Sequence, residues 1–352
     1  MAKAPKKTAA KKAKTTAKKA ASKAVKTTAA ATKAAVKKTA AKKATTQAKK
    51  AVAKTATPKK AGQKKSAAKK DKKITGYGGG GVDVVMSVDQ VAKEAASIAA
   101  NAPTHKELLK LTKNDPLLTI EALRAGYGKM EILHDFTLEV GRGQSLCLIG
   151  PNGAGKSTVL HSIFGFTNIF SGTISIGGKD VTNLTPSQKL AEAGIAYILQ
   201  DKSVFPQMTV EENLLMGGFL KNKPLEAKAA AEMVFDKYSR LAERRDKPAG
   251  VLSGGERRLL EISRALVMNP EVLLVDEPSI GLEPRFIDMV FEILSDLQHK
   301  DGKTIIMVEQ NAKKGLSFAD IGYVLVSGET AIADFGDDLL ENPDVGRLFL
   351  GG

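Results

Sequence analysis

From residue 117 onward, short apolar runs alternate with amphipathic stretches, and this alternation predicts a domain that contains both strands and helices. Continuous apolar runs predict buried strands at 145–149, 194–199, 272–275, 304–308 and 321–326. Apolar residues at helical spacing predict helices at 156–164, 210–216, 225–241, 255–268 and 284–298. Strands and helices in this order are typical of a parallel-sheet α/β core, with the mostly helical segment before Ser253 inserted as a subdomain.

Further strands flank this predicted core on both sides. Segments 118–123 and 136–140, separated by Tyr127-Gly128, predict an antiparallel flank, and segment 330–335 predicts a partner for strand 321–326. Glycine-rich sequence at 78–81 marks a linker that carries a short predicted helix at 88–100. We therefore predict three regions: a tail at 1–73, a linker at 74–115 and one folded domain at 116–352.

The positive charge of the chain is concentrated in the tail. Residues 1–73 contain 26 lysines, no arginine and one acidic residue, Asp71, which gives a net charge of +25. The whole chain carries +16, so residues 74–352 together carry −9. A segment rich in lysine and alanine has too little apolar surface to form a core, and we expect it to be disordered in isolation. It resembles the tails of linker-histone-like proteins.

Such a polycation is suited to bind a polyanion, either DNA, RNA or anionic lipid, by releasing counterions. The alternative is a solvated tail without a partner, or a misassigned start codon.

Cys147 is the single cysteine, so no intrachain disulfide can form, and a reducing, cytoplasmic setting is favoured. No apolar run reaches the length of about 18 residues that predicts a transmembrane helix. A transport function would therefore need a channel from another chain.

The strand at 145–149 leads directly into a glycine-rich loop and then into the helix at 156–164. The loop sequence fits the GxxxxGK[ST] phosphate loop and consists of Gly150, Pro151, Asn152, Gly153, Ala154, Gly155, Lys156, Ser157 and Thr158. Its glycines let backbone N–H groups surround phosphate oxygens, Lys156 neutralises their charge, and the Ser157 hydroxyl can ligate Mg²⁺. The motif in this context predicts a nucleoside triphosphate site.

Two acidic residues, Asp276 and Glu277, follow the apolar strand at 272–275. Asp276 is placed to hold Mg²⁺ through water, and Glu277 lies one residue further toward the γ-phosphate. We therefore predict that Glu277 is the general base for the attacking water. Two acids in a solvated loop would be the simpler interpretation if no phosphate loop accompanied them.

Leu252-Ser253-Gly254-Gly255-Glu256 opens the predicted helix at 255–268. Together with the phosphate loop and Asp276-Glu277, this segment resembles the signature of ATP-binding cassette (ABC) ATPases, and the resemblance covers residues 117–352. It implies a P-loop NTPase fold with ATP and Mg²⁺ as cofactors. In that family, residues matching Ser253, Gly254 and Gly255 belong to the signature that meets the ATP of the opposite subunit, so two subunits would enclose two ATP molecules head to tail.

The resemblance also implies roles for two residues that physical reasoning leaves open. Tyr127 matches the aromatic residue that stacks on adenine, although a tyrosine beside a glycine is also common in turn packing. Gln200 matches the residue that senses Mg²⁺ and the attacking water and that faces the membrane partner. A glutamine at the end of a strand is otherwise an ordinary polar position.

Two positions depart from the family pattern. Glu256 replaces the usual glutamine of the signature, and Gln310 stands where most ABC ATPases have a switch histidine. A glutamine amide can donate a hydrogen bond to the γ-phosphate, but it cannot carry a proton. Proton abstraction must then rest on Glu277.

Three segments resemble the smaller ATP-binding subunit of high-affinity branched-chain amino acid importers: 279–284, 308–311 and the C-terminal 348–352. The resemblance implies a subunit on the inner face of the cell membrane that pairs with a sibling ATPase and membrane permeases. Residues 201–211 would transmit its motion to a permease. Two alternatives remain: a soluble ABC ATPase that binds nucleic acid through its tail, and an ATPase of the lipopolysaccharide-export type, against which Gln310 argues.

Overall fold

The computed structural model describes residues 103–113, 115–200 and 203–350. The lysine-rich tail and the predicted helix at 88–100 lie outside these ranges. The strands are β1 Pro116–Tyr127, β2 Met130–Gly141, β3 Ser145–Ile149, β4 Asn168–Ile176, β5 Lys179–Asp180, β6 Ile195–Ile198, β7 Val272–Asp276, β8 Thr304–Val308, β9 Ile321–Val326 and β10 Glu329–Phe335.

The α-helices are α1 His105–Leu111, α2 Lys156–Phe164, α3 Pro186–Ala191, α4 Val210–Gly217, α5 Pro224–Lys237, α6 Ser239–Ala242, α7 Gly254–Leu266, α8 Pro284–His299, α9 Ala312–Phe318, α10 Gly336–Glu341 and α11 Pro343–Val345. A 3₁₀ turn at Ala249–Val251 precedes α7, and a π-helical turn, Gly346–Leu350, ends the described chain. None of the helices in the described ranges combines the length and the apolar character needed to cross a bilayer.

A six-stranded sheet in the order β10-β9-β3-β8-β7-β6 forms the centre of the domain. All its neighbouring strands are parallel except β9 and β10, which pair antiparallel across the Ser327-Gly328 turn. Every residue of β3, β7, β8 and β9 is buried, as expected for parallel strands covered on both faces. The predicted α/β fold with a parallel core is confirmed.

A second, antiparallel sheet in the order β2-β1-β4-β5 packs beside the central sheet. β1 and β2 pair from Tyr127 opposite Met130, across a turn at 128–129, as the sequence predicts. The sequence did not predict β4, which pairs with β1 on its other side. A shared apolar cluster joins this sheet to β3 and α2 through fully buried residues, among them Leu118, Ile120, Phe136, Leu148, Val159 and Leu160.

The segment between β6 and β7 forms the helical subdomain. Helices α4, α5 and α6 pack with α7 around a separate apolar cluster: Val204, Val210, Leu214, Ala231, Val234, Phe235, Leu241, Ala249, Leu252, Leu259, Leu260 and Val267. The single helix predicted at 225–241 is interrupted, because Tyr238 has non-helical dihedral angles (φ −125°, ψ 84°) and separates α5 from α6.

Helix α1 lies in the segment that the sequence assigns to the linker, yet it packs on the domain. Leu108 and Leu111 are 2% and 6% exposed. The Gln144 side-chain amide, at the start of β3, donates to the carbonyl of Leu111 (3.2 Å) and accepts from the backbone N–H of Lys113 (2.8 Å). The Lys113 ammonium also pairs with Asp320 Oδ1 at 3.0 Å. Residues 105–113 are therefore fastened to the N-terminal ends of β3 and β9.

Candidate functional site

The polar residues predicted to act on nucleotide follow four neighbouring parallel strands. β3 leads to the phosphate loop, β8 to Gln310, β7 ends at Asp276, and β6 is followed by Gln200. Because carboxyl ends of parallel strands share one edge of the sheet, these residues converge on a single crevice. The phosphate loop, Asp276, Gln200 and Gln310 therefore all lie at the same edge of the central sheet.

Backbone conformation explains the glycines of the phosphate loop. Gly150, Gly153 and Gly155 have φ of 143°, 82° and 101°, in the region that residues with a side chain rarely adopt. A Cβ on Gly150 would also lie 2.2 Å from the carbonyl oxygen of Leu325. The loop can therefore follow its tight path from β3 into α2, with the backbone amides at the start of α2 free to meet phosphate oxygens.

The Lys156 ammonium lies within the loop and donates to the carbonyls of Gly150 (2.9 Å) and Pro151 (3.0 Å). Burial lowers the pKa of Lys156, while the carboxylates of Glu277 and Asp276 oppose that shift. A partly desolvated cation attracts a phosphate group more strongly than a cation in bulk water does. Its position supports the predicted role in neutralising phosphate charge.

Asp276 is buried at the end of β7 and accepts two hydrogen bonds. The Ser157 hydroxyl donates to Oδ1 (3.2 Å), and the Tyr197 hydroxyl donates to Oδ2 (2.8 Å). The structure therefore joins the two predicted metal ligands, Ser157 and Asp276, and a hydroxyl oxygen beside a carboxylate suits Mg²⁺. Sequence reasoning missed Tyr197, whose only signal is a hydroxyl-bearing residue inside an otherwise apolar strand.

Glu277 has a left-handed backbone conformation (φ 43°), and its N–H donates to the carbonyl of Val308 (2.9 Å) on β8. Its carboxylate accepts a hydrogen bond of 2.6 Å from the Gln200 side-chain amide. Burial raises the pKa of Glu277, and the carboxylates of Asp276 and Glu309 raise it further against the opposing effect of Lys156. A carboxylate with a raised pKa is suited to accept a proton.

Glu309 lies within segment 308–311, but sequence reasoning gave it no role of its own. Although it is only 2% exposed, its Oε1 accepts from the Ser279 hydroxyl (2.6 Å) and from the backbone N–H of Asn311 (3.0 Å). Gln310, next to it, is exposed. The buried carboxylate thus ties the loop after Glu277 to the end of β8, which is the segment that carries Gln310.

The signature segment forms the N-terminus of α7. Ser253 is the N-cap: its hydroxyl accepts from the N–H of Glu256 (3.3 Å), and the Glu256 carboxylate accepts from the N–H of Ser253 (2.9 Å). This capping box explains how glutamate is accommodated in the signature. The Ser253 N–H, aided by Arg244, lowers the pKa of Glu256. Within the described residues, the side-chain bond of Ser253 leads to Glu256 and not to the phosphate loop.

Tyr127, at the end of β1, is 40% exposed. Its hydroxyl is joined to Nδ1 of His161 on α2 by a hydrogen bond of 2.5 Å. The ring is therefore held beside the phosphate-loop helix with part of its surface open to solvent. The sequence predicts the position of Tyr127 but not this partner.

Comparison with known proteins decides the family. A family model described as ABC transporter matches residues 133–280. The high-affinity branched-chain amino acid transport ATP-binding protein BraG of Pseudomonas aeruginosa is 42% identical over 236 residues, which are 67% of this chain and 100% of that protein. The chain belongs to the ABC transporter family. It is an ABC ATPase.

Other similarities agree with this assignment. The ABC ATPase is 37% identical to a probable branched-chain amino acid transport ATP-binding protein of Archaeoglobus fulgidus, over 67% of this chain and 99% of the relative. It is 31% identical to the lipopolysaccharide export system ATP-binding protein of Haemophilus influenzae, over 67% and 97%.

Solved structures confirm the fold. The ADP conformation of an ATP-binding cassette of an ABC transporter matches 68% of this ABC ATPase and 100% of that chain, with a TM-score of 0.60 and 29% identity. The cassette of a bacterial Atm1-family exporter with ATP bound matches with a TM-score of 0.55 and 29% identity, over 67% of this chain and 42% of that chain. The predictions of an ATPase activity and of ATP as cofactor are confirmed.

Proposed function

We propose that this ABC ATPase is the energy-coupling subunit of an importer for branched-chain amino acids and works on the inner, cytoplasmic face of the cell membrane. The observation that carries the proposal is the crevice in which the phosphate loop, Asp276 and the Gln200–Glu277 pair meet. The similarity to branched-chain amino acid transport ATP-binding proteins supports the solute class. Binding of ATP closes a dimer, and hydrolysis reopens it.

In this proposal the phosphate loop, residues 150–158, binds the triphosphate and the Tyr127 ring stacks on adenine. Ser157, Asp276 and Gln200 would hold Mg²⁺, because their oxygen atoms match its preference. Mg²⁺ held by these residues would supply positive charge to offset the negative charge that develops on the phosphate oxygens. Lys156 adds a second positive charge from the protein itself.

Glu277 accepts the proton of the attacking water. The hydrogen bond from Gln200 fixes its carboxylate, and its raised pKa increases its basicity. Gln310 donates its amide N–H to the γ-phosphate, and the buried Glu309 positions the loop around it. The chemistry therefore needs no histidine at position 310.

A second subunit completes the site. The tip of α7, with Ser253, Gly254 and Gly255, offers the positive end of a 13-residue helix, which is a good place for the γ-phosphate of a partner's ATP. The partner is a sibling ATPase or a second copy of this chain. The two subunits would lie head to tail with two nucleotides between them.

A groove between the central sheet and the helical subdomain is suited to a permease. It has a volume of about 290 Å³, and Phe205, Met216 and Phe219 on its rim are 45%, 43% and 68% exposed. Tyr197 lines the wall of the groove, and its hydroxyl donates a hydrogen bond to Asp276. An apolar segment bound in the groove would therefore be separated from the proposed Mg²⁺ ligand Asp276 only by the side chain of Tyr197. Ser203 and Phe205 line the groove, which supports the predicted role of segment 201–211 in transmitting motion; residues 201 and 202 lie outside the described ranges.

The proposal is tested by transport in vesicles that contain this chain with the permeases encoded beside it. Labelled leucine should accumulate only with ATP inside the compartment that holds the ATPase, and Glu277→Gln should stop both hydrolysis and accumulation. Lipopolysaccharide-dependent stimulation of ATP hydrolysis with no uptake of leucine, isoleucine or valine would refute it. That outcome would favour the export type, whose relative is also similar.

For the tail, we propose binding to a polyanion, on the basis of the net charge of +25 at 1–73. Electrophoretic mobility shift with DNA and co-sedimentation with anionic vesicles should both be tested from low to high salt, with the chain lacking residues 1–73 as the control. Binding to neither polyanion at low salt would refute this partner. Nucleic acid-dependent ATP hydrolysis would instead support the soluble ATPase alternative.

A further inference from the structure

The hydrogen bond between Tyr127 and His161 links two parts of the nucleotide site that the sequence motifs treat separately. Tyr127 ends β1 in the antiparallel sheet, whereas His161 lies on α2, five residues after the phosphate-loop lysine. The two rings are also in edge contact, with centroids 6.1 Å apart and an interplanar angle of 82°. The phosphate loop gives no role to a histidine at this position.

His161 is itself held firmly. Its ring packs edge-on against Phe166 (5.8 Å between centroids) and Tyr197 (5.7 Å). Its backbone carbonyl accepts from the N–H groups of Gly165 and Phe166, both at 2.8 Å. Packing fixes the ring, and the two backbone hydrogen bonds fix the helix end that carries it, so His161 provides a rigid anchor for the exposed ring of Tyr127.

The protonation state of His161 is consistent with that anchor. Burial lowers the pKa of His161, and the carboxylate of Asp276 opposes the shift. The imidazole is therefore neutral near neutral pH, and its Nδ1 can accept the proton of the Tyr127 hydroxyl. This hydrogen bond restricts rotation of the Tyr127 side chain, so the exposed face of its ring stays accessible to a ligand.

We propose that His161 is a positioning residue that holds the ring of Tyr127 ready to stack on the base of ATP. The inference rests on the proposed contact between Tyr127 and adenine. His161 lies on α2, the helix that follows the phosphate loop. Its hydrogen bond to Tyr127 therefore fixes the distance between the Tyr127 ring and the phosphate loop before ATP binds. Preorganisation of this kind strengthens binding without adding a group to the chemical step.

The test compares full-chain variants by KM and kcat for ATP hydrolysis and by Kd for ATP with Mg²⁺. His161→Leu and Tyr127→Phe each remove one partner of the hydrogen bond and should raise KM and Kd about three- to tenfold, with kcat within about twofold. The double variant should be no worse than either single variant, because both remove the same interaction. His161→Asn, whose amide oxygen can replace Nδ1 as the acceptor, should restore most of the affinity.

Phe166→Leu is the matched control, since it removes one of the two ring contacts of His161 but leaves the contact with Tyr197 and the hydrogen bond to Tyr127. It should change KM by less than about twofold. An equal effect of Phe166→Leu, additive effects in the double variant, or a loss confined to kcat would overturn the proposal. If His161→Leu unfolds, Tyr127→Phe and His161→Asn still decide the question. Unchanged KM in Tyr127→Ala would instead show that the proposed adenine contact itself is wrong.

Discussion

Gly255→Ala should destabilise the domain because of one close contact at the start of α7. A Cβ on Gly255 would lie 2.3 Å from Cδ1 and 2.9 Å from Cγ of Phe286, at the start of α8. Ordinary contacts begin at 3.4 Å, so the two groups must separate by about 1.1 Å. Cγ lies at the base of the ring, and rotation of the ring alone cannot relieve the overlap.

The expected cost follows from comparison with the neighbouring glycine. Gly254→Ala places its Cβ 3.8 Å from Leu282 and meets no steric obstacle. Both substitutions gain helix propensity, at most about 1 kcal/mol, so the difference between them isolates the overlap with Phe286. Overpacking of this kind costs about 1–3 kcal/mol in the free energy of unfolding. For a domain of this size, the Tm should fall by roughly 2–4 °C per kcal/mol.

Thermal and urea unfolding of the two alanine variants, with and without Phe286→Ala, measure this directly. Phe286→Ala should restore much of the stability that Gly255→Ala loses and should give no such benefit to Gly254→Ala. Equal stability of Gly254→Ala and Gly255→Ala, or no rescue by Phe286→Ala, would refute the steric explanation. Gly255 would then matter only for contact with a partner's nucleotide.

Three further outcomes are expected. Glu277→Gln should reduce kcat at least a hundredfold, as expected for loss of a general base. The Kd for ATP should stay within about threefold, and the ATP-bound dimer should persist in size-exclusion chromatography. Unchanged hydrolysis would exclude Glu277 as the base. The raised pKa of Glu277 in the nucleotide-free protein places the acid limb of the kcat/KM profile above pH 4.5. Glu309→Gln removes a repelling charge and should move that limb to lower pH; an unmoved limb would contradict the coupling. Burial lowers the pKa of Lys189 from 10.5 to about 8, so the folded state loses this proton at a lower pH than the unfolded state does. The free energy of unfolding of the wild type, measured by urea titration, should therefore rise relative to that of Lys189→Met between pH 8 and 10.5. A difference between the two proteins that does not change with pH would contradict this.

The sequence predicts the central sheet well because its strands are continuous apolar runs. β3, β8, β9 and α2 begin and end at the predicted residues, and the motif residues follow the strands as expected. β4 was missed because its first six residues are exposed or half-buried and do not alternate between apolar and polar. Such a strand is defined by pairing with β1, which is a tertiary property.

The motifs likewise located Lys156, Ser157, Asp276 and Glu277, because each type of residue serves one chemical need at one spacing. Tyr197, His161 and Glu309 could not be found in this way. Their roles depend on side chains that are 79, 34 and 30 residues distant in sequence, namely Asp276, Tyr127 and Ser279. Only the packing of the elements brings these pairs within hydrogen-bonding distance.

The attachment at the C-terminal end of α1 lies at the opposite edge of the central sheet from the nucleotide crevice. Gln144 and Asp320 hold it at the ends of β3 and β9 where those strands begin, while the nucleotide crevice lies where β3 finishes, five residues away. At about 3.3 Å per residue the two places are roughly 16 Å apart through the sheet. A fluorophore joined to the side chain at position 113, which is 58% exposed, would thus lie on the side of the domain that ATP does not use.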